Sequence, residues 1–230
     1  MKYRDILLDA DGTLFDFHQA EYDALADTLK HFSLPQSREI HEGYSLANGE
    51  QWKLLEKKLV TREQLRTNRF KNFCQKFGFS CSCEEMATYY ENALSTKGAL
   101  LEGAEEICRL LSLHCDLYIV TNGFRHIQQG RFGTSPLSKY IKSFFISEEI
   151  GPEKPDPIFF ERVADRIPGF AKETSLIVGD SLSSDIAGGI AFGIDTCWFN
   201  SKGDVSPGNM RPTYIISSLS QLQNIILRGE

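Results

Sequence analysis

Short apolar runs that alternate with helical patterns are the feature of this sequence that most limits its fold. The runs cover residues 6–8, 117–120, 144–146, 176–178, 196–199 and 214–216. Each is apolar along nearly its whole length rather than at alternate positions, as is typical of strands covered on both faces. Strands that alternate with helices predict an α/β fold, with a doubly wound, Rossmann-like and mainly parallel sheet.

Helical patterns fill most of the intervals between these strands. One pattern covers residues 102–113, and another covers residues 185–192 and ends at Gly193. Asp156 followed by Pro157 is typical of a helix start, because Asp can cap the helix and Pro suits its first position. After the second strand, the glycines at 130 and 133 and the proline at 136 predict an interrupted helix.

The interval from residue 17 to residue 95 contains no convincing strand and several signals for helices. These signals are an amphipathic face of Tyr22, Leu25, Ala26 and Leu29, a capping box from Thr61 to Gln64, and a second box from Ser82 to Glu85. The interval is far longer than an ordinary connection. We expect residues 17–95 to form a helical accessory domain on a core of residues 1–16 and 96–230, the alternative being helices packed directly on the sheet.

Composition excludes several classes of protein. The chain has 25 Lys and Arg against 31 Asp and Glu, a net charge of −6, and no long basic run, which argues against a nucleic-acid polymer or a membrane surface as partner. At 230 residues it can bury about 70% of its unfolded surface without structural metal. Without a membrane-length apolar stretch or a signal-peptide pattern, we expect a cytoplasmic protein.

Neither the cysteines nor residues 201–210 indicate a catalytic or metal-binding function. There are six cysteines and no Cys-x-x-Cys pair; Cys81 and Cys83, with Cys74 upstream, have no nearby histidine to complete a zinc site. We therefore expect reduced thiols. Residues 201–210 are rich in Gly, Pro and Ser and predict a flexible surface loop.

Polar clusters directly follow four of the predicted strands or the turn beyond them. The clusters are Asp9-Ala10-Asp11-Gly12-Thr13, Thr121-Asn122-Gly123, Glu153-Lys154-Pro155, and Gly179-Asp180 with Asp185. Because open parallel sheets place their sites at the carboxyl ends of the strands, we expect these clusters to meet at one edge.

Taken together, these side chains predict a phosphate-handling site. Asp9 and Asp11 repel each other unless a cation or a shared proton compensates. Thr121, with the free amides that follow it, suits an anion. Mg²⁺ prefers carboxylate oxygens, and Mg²⁺ with a lysine such as Lys154 can neutralise a phosphoryl group. Singly, each cluster has an ordinary alternative: a turn, a solvated lysine, or, for Asp185, a helix cap.

The ordered motifs resemble those of the haloacid dehalogenase superfamily: DxDxT from Asp9, then Thr121, then Lys154-Pro155, then Gly179-Asp180 with Asp185. The helical interval is similar to the C1 cap of that superfamily. Other segments resemble its pyrimidine 5′-nucleotidase branch. They are Thr121-Asn122-Gly123-Phe124, Ser147-Glu148-Glu149-Ile150-Gly151, Cys197-Trp198-Phe199-Asn200, and residues 212–219.

The resemblance implies a catalytic role for each acid of the first motif. Asp9 would be the nucleophile that forms an aspartyl-phosphate, and Asp11 would protonate the leaving alcohol and then deprotonate water. The second acid favours phosphate ester hydrolysis over dehalogenation, which does not need it. Mg²⁺ would be held by Asp9, the backbone carbonyl of Asp11, and Asp180.

The resemblance also implies supporting and phosphate-binding roles. Asp185 would steady the Mg²⁺ ligands from behind or bind the ion through water. Thr121, the backbone amide of Asn122 and Lys154 would hold the phosphoryl oxygens. The substrate implied is a small phosphate ester, a nucleoside 5′-monophosphate in the nucleotidase branch.

Several alternatives stay open at this point. A phosphosugar or phosphoglycolate phosphatase would carry the same motifs. Outside enzymes, a receiver-like phospho-switch is opposed by the chain length and by the position of Asp9 on the first strand. A silent binding scaffold would be expected to lack a motif residue. Within the helical interval, Tyr44, Asn48, Gln51 and Trp52 are candidate walls for the substrate base, or else core residues of the cap.

Overall fold

The sheet has the parallel, doubly wound arrangement that the apolar runs predict. The computed structural model describes residues 2–205, 208 and 210–228. Within them, six strands form one sheet in the order β3-β2-β1-β4-β5-β6, and each neighbouring pair is parallel. The strands are β1 (Asp5–Leu8), β2 (Asp116–Thr121), β3 (Ser143–Ile146), β4 (Ser175–Gly179), β5 (Asp195–Phe199) and β6 (Tyr214–Ile216).

Helices lie between most of these strands along the chain. They are α1 (Phe17–His31), α2 (Arg38–Glu56), α3 (Arg62–Phe77), α4 (Cys83–Leu94), α5 (Ala104–Leu111), α6 (Arg125–Thr134), α7 (Ser147–Ile150), α8 (Pro157–Ala164) and α9 (Ala187–Phe192). Shorter 3₁₀ turns cover Pro136–Tyr140, Lys172–Thr174 and Leu219–Gln221, and wider π-type turns cover Leu182–Ile186 and Asn224–Arg228.

Both faces of the sheet are buried, which explains why its strands are apolar at consecutive positions. In β1, Ile6 and Leu8 pack into a cluster with α5 and the chain after β6. Leu7, between them, points to the other face and packs with residues of α8 and α9. Successive strand side chains point to opposite faces, so a strand covered on both sides needs an uninterrupted apolar run.

Helices α1 to α4 form a hydrophobic cluster of their own. Leu25, Tyr44, Phe70 and Tyr90, one from each helix, meet in it, and Ile127 of α6 packs against the same cluster. This packing is what a separate helical unit would produce. The division into an accessory domain at 17–95 and a core at 1–16 and 96–230 stays a prediction.

The buried face of α1 differs from the predicted one. Tyr22 is 51% exposed, whereas Glu21 beside it is buried. Glu21 accepts a hydrogen bond from Asn48 Nδ2 at 2.7 Å, so a polar partner on α2 lets a charged residue occupy a buried position. Tyr22 stacks instead on the ring of His41 at 3.9 Å. The sequence pattern alone cannot reveal a polar side chain that is satisfied in this way.

The helix after β2 is not interrupted as predicted. Helix α6 continues through Gly130 and Gly133 and ends at Thr134, just before Pro136. A side chain at Gly130 would place its Cβ 2.6 Å from the carbonyl oxygen of Ser95. The glycine therefore allows α6 to lie close to the end of α4, and tertiary packing outweighs its low helix propensity.

Several predicted helix ends are confirmed. Thr61 and Gln64 form a reciprocal capping box, and Asp156 caps α8 with Pro157 at its first position. Gly193 ends α9 with a positive φ of 87°. None of the six cysteines, all of which lie within the described residues, forms a disulfide. Of the loop predicted at 201–210, residues 206, 207 and 209 lie outside the described residues. Within the described residues, no helix has the length and apolar character needed to cross a membrane.

Candidate active site

The first polar cluster begins where β1 ends. The backbone N–H of Asp9 donates to the carbonyl of Val178 at 2.9 Å, which keeps Asp9 alongside β4. Thr13 links two acids, because its Oγ1 donates to Asp9 Oδ2 at 3.3 Å and accepts from the backbone N–H of Asp180 at 3.1 Å. Thr13 belongs to the first motif, although no individual role was predicted for it; its two hydrogen bonds link the segments that follow β1 and β4.

Gly12 is required by this close approach. Its φ is +83°, and an ideal Cβ at this position would lie 2.5 Å from Asp180 Oδ2. An alanine here would both overlap the Asp180 carboxylate and adopt a backbone conformation that L-residues disfavour. The first and fourth motifs therefore meet through a glycine.

Lys154 lies at the centre of the site and is only 2% exposed. Its Nζ donates to Asp9 Oδ1 at 2.6 Å, to Asp185 Oδ1 at 2.6 Å, and to the carbonyl of Val120 at 2.8 Å. Burial lowers the pKa of Lys154, but attraction to Asp185 and Asp9 more than offsets this and raises it above its ordinary value. The ammonium is therefore charged and uses all three of its protons.

Three carboxylates surround this lysine. Asp9, Asp180 and Asp185 each have an oxygen within 4.8 Å of the others. Burial raises the pKa of Asp9 well above its usual range, and Lys154 offsets this only in part. Burial, with repulsion from Asp185, raises the pKa of Asp180 to about 7. Three acids against one lysine leave excess negative charge, and this oxygen donor set fits Mg²⁺.

Asp185 differs from the other two acids in its hydrogen bonds. Its Oδ1 accepts from Lys154, and its Oδ2 accepts from the backbone N–H of Ser181 at 3.2 Å. Both oxygens are thus engaged by the protein, an arrangement suited to supporting the cluster from behind. Ser181 also caps the turn at Leu182–Ile186, so the ordinary alternative of Asp185 as the helix cap does not describe its contacts.

The second cluster supports the lysine directly. Asn122 Nδ2 donates to the carbonyl of Lys154 at 2.8 Å, and Asn122 Oδ1 accepts from the Lys154 N–H at 2.9 Å. Thr121, buried beside it, accepts from the N–H of Gly123 at 3.0 Å. The side chain of Asn122 therefore fixes the backbone of Lys154, whereas its backbone amide is the group predicted to bind phosphate.

The carboxylate of Asp11 is held by two side chains of α6. Gln128 Nε2 donates to Asp11 Oδ2 at 2.6 Å, and Arg131 Nη1 forms an ion pair with Asp11 Oδ1. Sequence reasoning missed both partners. The available signal was their spacing, since residues three apart share a helix face, but nothing indicated that this polar face would be buried.

A cavity of about 240 Å³ joins the predicted residues to the helical cluster. From the sheet edge it is lined by Asp9, Asp11, Thr121, Asn122, Lys154, Asp180 and Asp185, and from helices α1 and α2 by Phe17, Trp52 and Glu56. All seven predicted site residues thus meet around one cavity. Of the candidate base walls, Trp52 lines it, whereas Tyr44, Asn48 and Gln51 are buried among the helices.

Comparison with known proteins identifies the family. The model of the haloacid dehalogenase-like hydrolase family matches residues 3–193. This chain belongs to that family. HAD-hydrolase YfnB of Bacillus subtilis is 35% identical to this hydrolase over 225 residues, 98% of this chain and 96% of that protein. Pyrimidine 5′-nucleotidase PynA of Streptococcus pneumoniae is 37% identical over 223 residues, 96% and 94% of the two chains.

Solved structures agree with the family and the fold. A crystal structure of YfnB, described as bound to magnesium, superposes on this hydrolase with a TM-score of 0.94 at 34% identity, covering 98% of this chain and 99% of that one. A dehalogenase with a TM-score of 0.75 and 19% identity, covering 97% and 96% of the chains, shares the fold.

Proposed function

We propose that this hydrolase is a Mg²⁺-dependent phosphomonoesterase that acts on pyrimidine nucleoside 5′-monophosphates through an aspartyl-phosphate. The observation that carries the proposal is the buried Lys154 between Asp9 and Asp185, beside Asp180 and at the floor of a cavity with an aromatic wall. The likeness to PynA, and to pyrimidine 5′-nucleotidase YjjG of Escherichia coli at 29% identity over 99% of this chain and 100% of that one, supports the substrate class.

Asp9 is the proposed nucleophile. One of its oxygens attacks phosphorus, the bond from phosphorus to the ester oxygen breaks, and Asp11 gives its proton to the leaving alkoxide. The hydroxyl of Thr121 and the amide of Asn122 bind the phosphoryl oxygens, and Lys154 turns one of its N–H groups from a protein acceptor to them and stabilises their charge. Mg²⁺, held by Asp9, the carbonyl of Asp11, and Asp180, supplies further positive charge that reduces repulsion between the carboxylate and the phosphate dianion.

The second step returns the enzyme to its starting state. Water attacks the phosphorus of the aspartyl-phosphate, Asp11 takes a proton from this water, and inorganic phosphate leaves with the Asp9 carboxylate restored. Asp11 thus gives one proton and takes one proton in each turnover, so the overall reaction is hydrolysis.

The proposed base site lies on the helical side of the cavity. Phe17 and Trp52 offer aromatic faces on which a planar base can stack, and Trp52 packs edge-on against Phe124 at 5.8 Å. Glu56 places a carboxylate at the same wall. In this proposal residues 17–95 form a cap domain that covers the leaving nucleoside, while residues 1–16 and 96–230 perform the chemistry.

The test is phosphate release from a panel of phosphomonoesters, with Mg²⁺ and with chelator. We expect Mg²⁺-dependent release that is fastest with UMP, dUMP and dTMP, and loss of release in an Asp9→Asn control. Preference for a phosphosugar or for phosphoglycolate would overturn the substrate class and keep the chemistry. Absence of Mg²⁺-dependent release from every ester would overturn the proposed activity itself.

The intermediate needs a separate measurement. Rapid acid quenching during turnover should trap one phosphoryl group on the protein, and peptide mass analysis should place it on Asp9. A phosphoryl group on any other residue, or none under conditions of full turnover, would contradict the aspartyl-phosphate.

A further inference from the structure

Two buried side chains of α6 hold the carboxylate of Asp11, one at each oxygen. Gln128 is 1% exposed and Arg131 is 0% exposed. Arg131 also donates from Nε to the carbonyl of Lys97 at 3.0 Å, and its guanidinium lies over the ring of Phe15, with 4.4 Å from Cζ to the centroid. Because these contacts fix the guanidinium on several sides, Asp11 meets a rigid cation rather than a mobile one.

A glycine makes the contact between Gln128 and Asp11 possible. A Cβ at Gly123, in the second motif, would overlap the side-chain amide of Gln128. The turn after β2 therefore leaves the space through which Gln128 reaches Asp11. The contact depends on two separate chain segments, so it is built into the fold and is not a chance approach of a flexible surface side chain.

Gln128 also has an unused hydrogen-bonding atom. Its Oε1 is buried and has no hydrogen-bond partner among the described residues. A buried acceptor without a partner is unusual, because it has lost water without gaining a replacement. A side-chain amide that turns by half a rotation exchanges its donor for its acceptor, so Gln128 can bind either form of a neighbouring carboxyl group.

We propose that Gln128 and Arg131 are positioning residues for Asp11 and assign its transferred proton to Oδ2. The proposal rests on the function proposed above, in which Asp11 takes and gives one proton per turnover. Arg131 is permanently charged and only donates, so it keeps Oδ1 deprotonated. The proton from water therefore goes to Oδ2, where Gln128 turns its Oε1 to accept from the new O–H.

The opposite change accompanies the next proton transfer. When the Oδ2–H turns from Gln128 to the leaving alkoxide and its proton is transferred, Asp11 becomes a carboxylate again and Gln128 returns Nε2 to it as donor. No proton is gained or lost by Gln128 or Arg131 in either step. Their contribution is to keep the Asp11 carboxyl oriented in both of its forms.

Leaving groups of different basicity distinguish this role from a structural one. UMP loses an alkoxide that needs a proton, whereas 4-nitrophenyl phosphate loses a stable anion that needs almost none. We expect Gln128→Met to lower kcat/KM for UMP by about 10- to 100-fold, part of the 10²–10⁴ that acid–base catalysis contributes. For 4-nitrophenyl phosphate the loss should stay below about 3-fold. Ribose 5-phosphate replaces UMP if the phosphate-release panel favours sugar esters.

Matched variants complete the experiment. Gln129→Met changes the same residue type one position along α6, on an exposed side chain that contacts Glu149 rather than Asp11, and should leave both esters unaffected. Arg131→Lys keeps a cation in the buried position and should show the same selective loss as Gln128→Met. In an Asp11→Asn background, Gln128→Met should cost less than about 3-fold with UMP, because its partner in proton transfer is already gone.

Equal losses on the two esters, no loss with UMP, or an undiminished loss in the Asp11→Asn background would each overturn the positioning role. These outcomes presuppose an active wild-type enzyme and so leave the proposed function standing. A wild-type protein that releases phosphate from none of these esters would overturn the proposed function and the positioning role together.

Discussion

The charges of Lys154, Asp9 and Asp185 compensate one another, and this compensation depends on each of the three side chains. The ammonium lies 2.6 Å from both Asp9 and Asp185 and is almost fully buried. Desolvating three charged groups costs free energy, which their mutual attraction and hydrogen bonds offset only while all three are present. The stability of the fold is therefore sensitive to substitution here, because losing any one charge leaves the other two buried without compensation.

Replacing Lys154 should therefore lower both the stability of the protein and its activity. We expect Lys154→Met to lower the free energy of unfolding by about 3–5 kcal/mol at pH 8, because Asp9 and Asp185 are left buried and unpaired. Phosphate release should fall by at least about 10²-fold. Urea denaturation and turnover measure the two effects. Lys58→Met, which removes an exposed ion pair with Asp156, serves as control and should change stability by less than about 0.5 kcal/mol. Equal stability of the two variants would contradict this account.

The two acids of the first motif should fail in different ways. Asp9→Asn should abolish turnover, since an amide cannot act as the nucleophile. Asp11→Asn should lower turnover by about 10²–10⁴, the usual contribution of a proton-transfer group, while still allowing phosphoryl transfer to Asp9. Rapid quenching should accordingly find phosphorylated enzyme in the Asp11 variant and none in the Asp9 variant. The reverse pattern would exchange the two roles.

Among the helices, α3 connects the helical cluster to the sheet edge through its first turn. Arg62 Nη2 donates to the carbonyl of Asn122 at 2.9 Å, to Ser147 Oγ at 2.6 Å and to Glu153 Oε2 at 3.1 Å. These partners flank the segments that carry Thr121 and Lys154. One side chain thus ties the predicted cap to two of the loops that form the site.

Removing the Arg62 side chain should make the amino-terminal turn of α3 less stable. We expect Arg62→Ala to lower the free energy of unfolding by about 1–3 kcal/mol, because partly buried acceptors lose a charged donor. Amide hydrogen exchange should quicken at the start of α3 and around Asn122. Arg38→Ala, which removes an exposed ion pair within α2, is the control and should leave exchange at Asn122 unchanged. The same exchange at Asn122 in both variants would show that Arg62 does not couple these segments.

The strands were more predictable from sequence than the helices. A strand buried on both faces has an uninterrupted apolar run, so each of the six predicted runs falls within a strand or overlaps it closely. Helix α6 and the face of α1 were predicted less well, because Gly130 packs against Ser95 and Glu21 pairs with Asn48. Those contacts join residues distant in sequence, which local patterns do not encode.

The strand-end residues of the site were predictable from the sequence, whereas the partners of Asp11 were not. The acids, Thr121 and Lys154 lie at strand ends or in the segments just beyond them, and parallel topology brings strand ends together at one edge. The partners of Asp11 lie within a helix, at positions where Gln and Arg are ordinarily exposed. Nothing in the sequence indicates that Gln128 and Arg131 are buried against Asp11; this contact depends on the packing of α6.

On the scale of the whole molecule, the charge of Asp180 beside Asp185 lowers the stability of the fold. The pKa of Asp180, raised to about 7 by burial and by Asp185, means that the folded chain binds a proton more tightly than the unfolded chain does. Such a carboxyl lowers stability progressively as pH rises from about 4, its unfolded value, to about 7. Above that pH the folded chain carries the full cost of the ionised group.

Mg²⁺ and a neutral substitution at Asp180 should therefore each relieve this cost, but the substitution should also weaken the response to the metal. At 100 times its Kd, Mg²⁺ adds about 2.7 kcal/mol, which for a chain of this size raises Tm by about 5–10 °C. Asp180→Asn should lose most of that rise, since it removes a ligand. Without metal at pH 8, however, the same variant should melt above the wild type, because the amide removes a charge that Asp185 repels.

Thermal melts of both proteins, at pH 8 and pH 5 and with Mg²⁺ or chelator, measure these effects in one experiment. The advantage of the metal-free variant should shrink towards pH 5, where the wild-type carboxyl holds a proton and no longer repels its neighbours. An undiminished Mg²⁺ response in Asp180→Asn would remove Asp180 from the metal site. A metal-free variant less stable than wild type at pH 8 would mean that hydrogen bonding, rather than repulsion, dominates at this position.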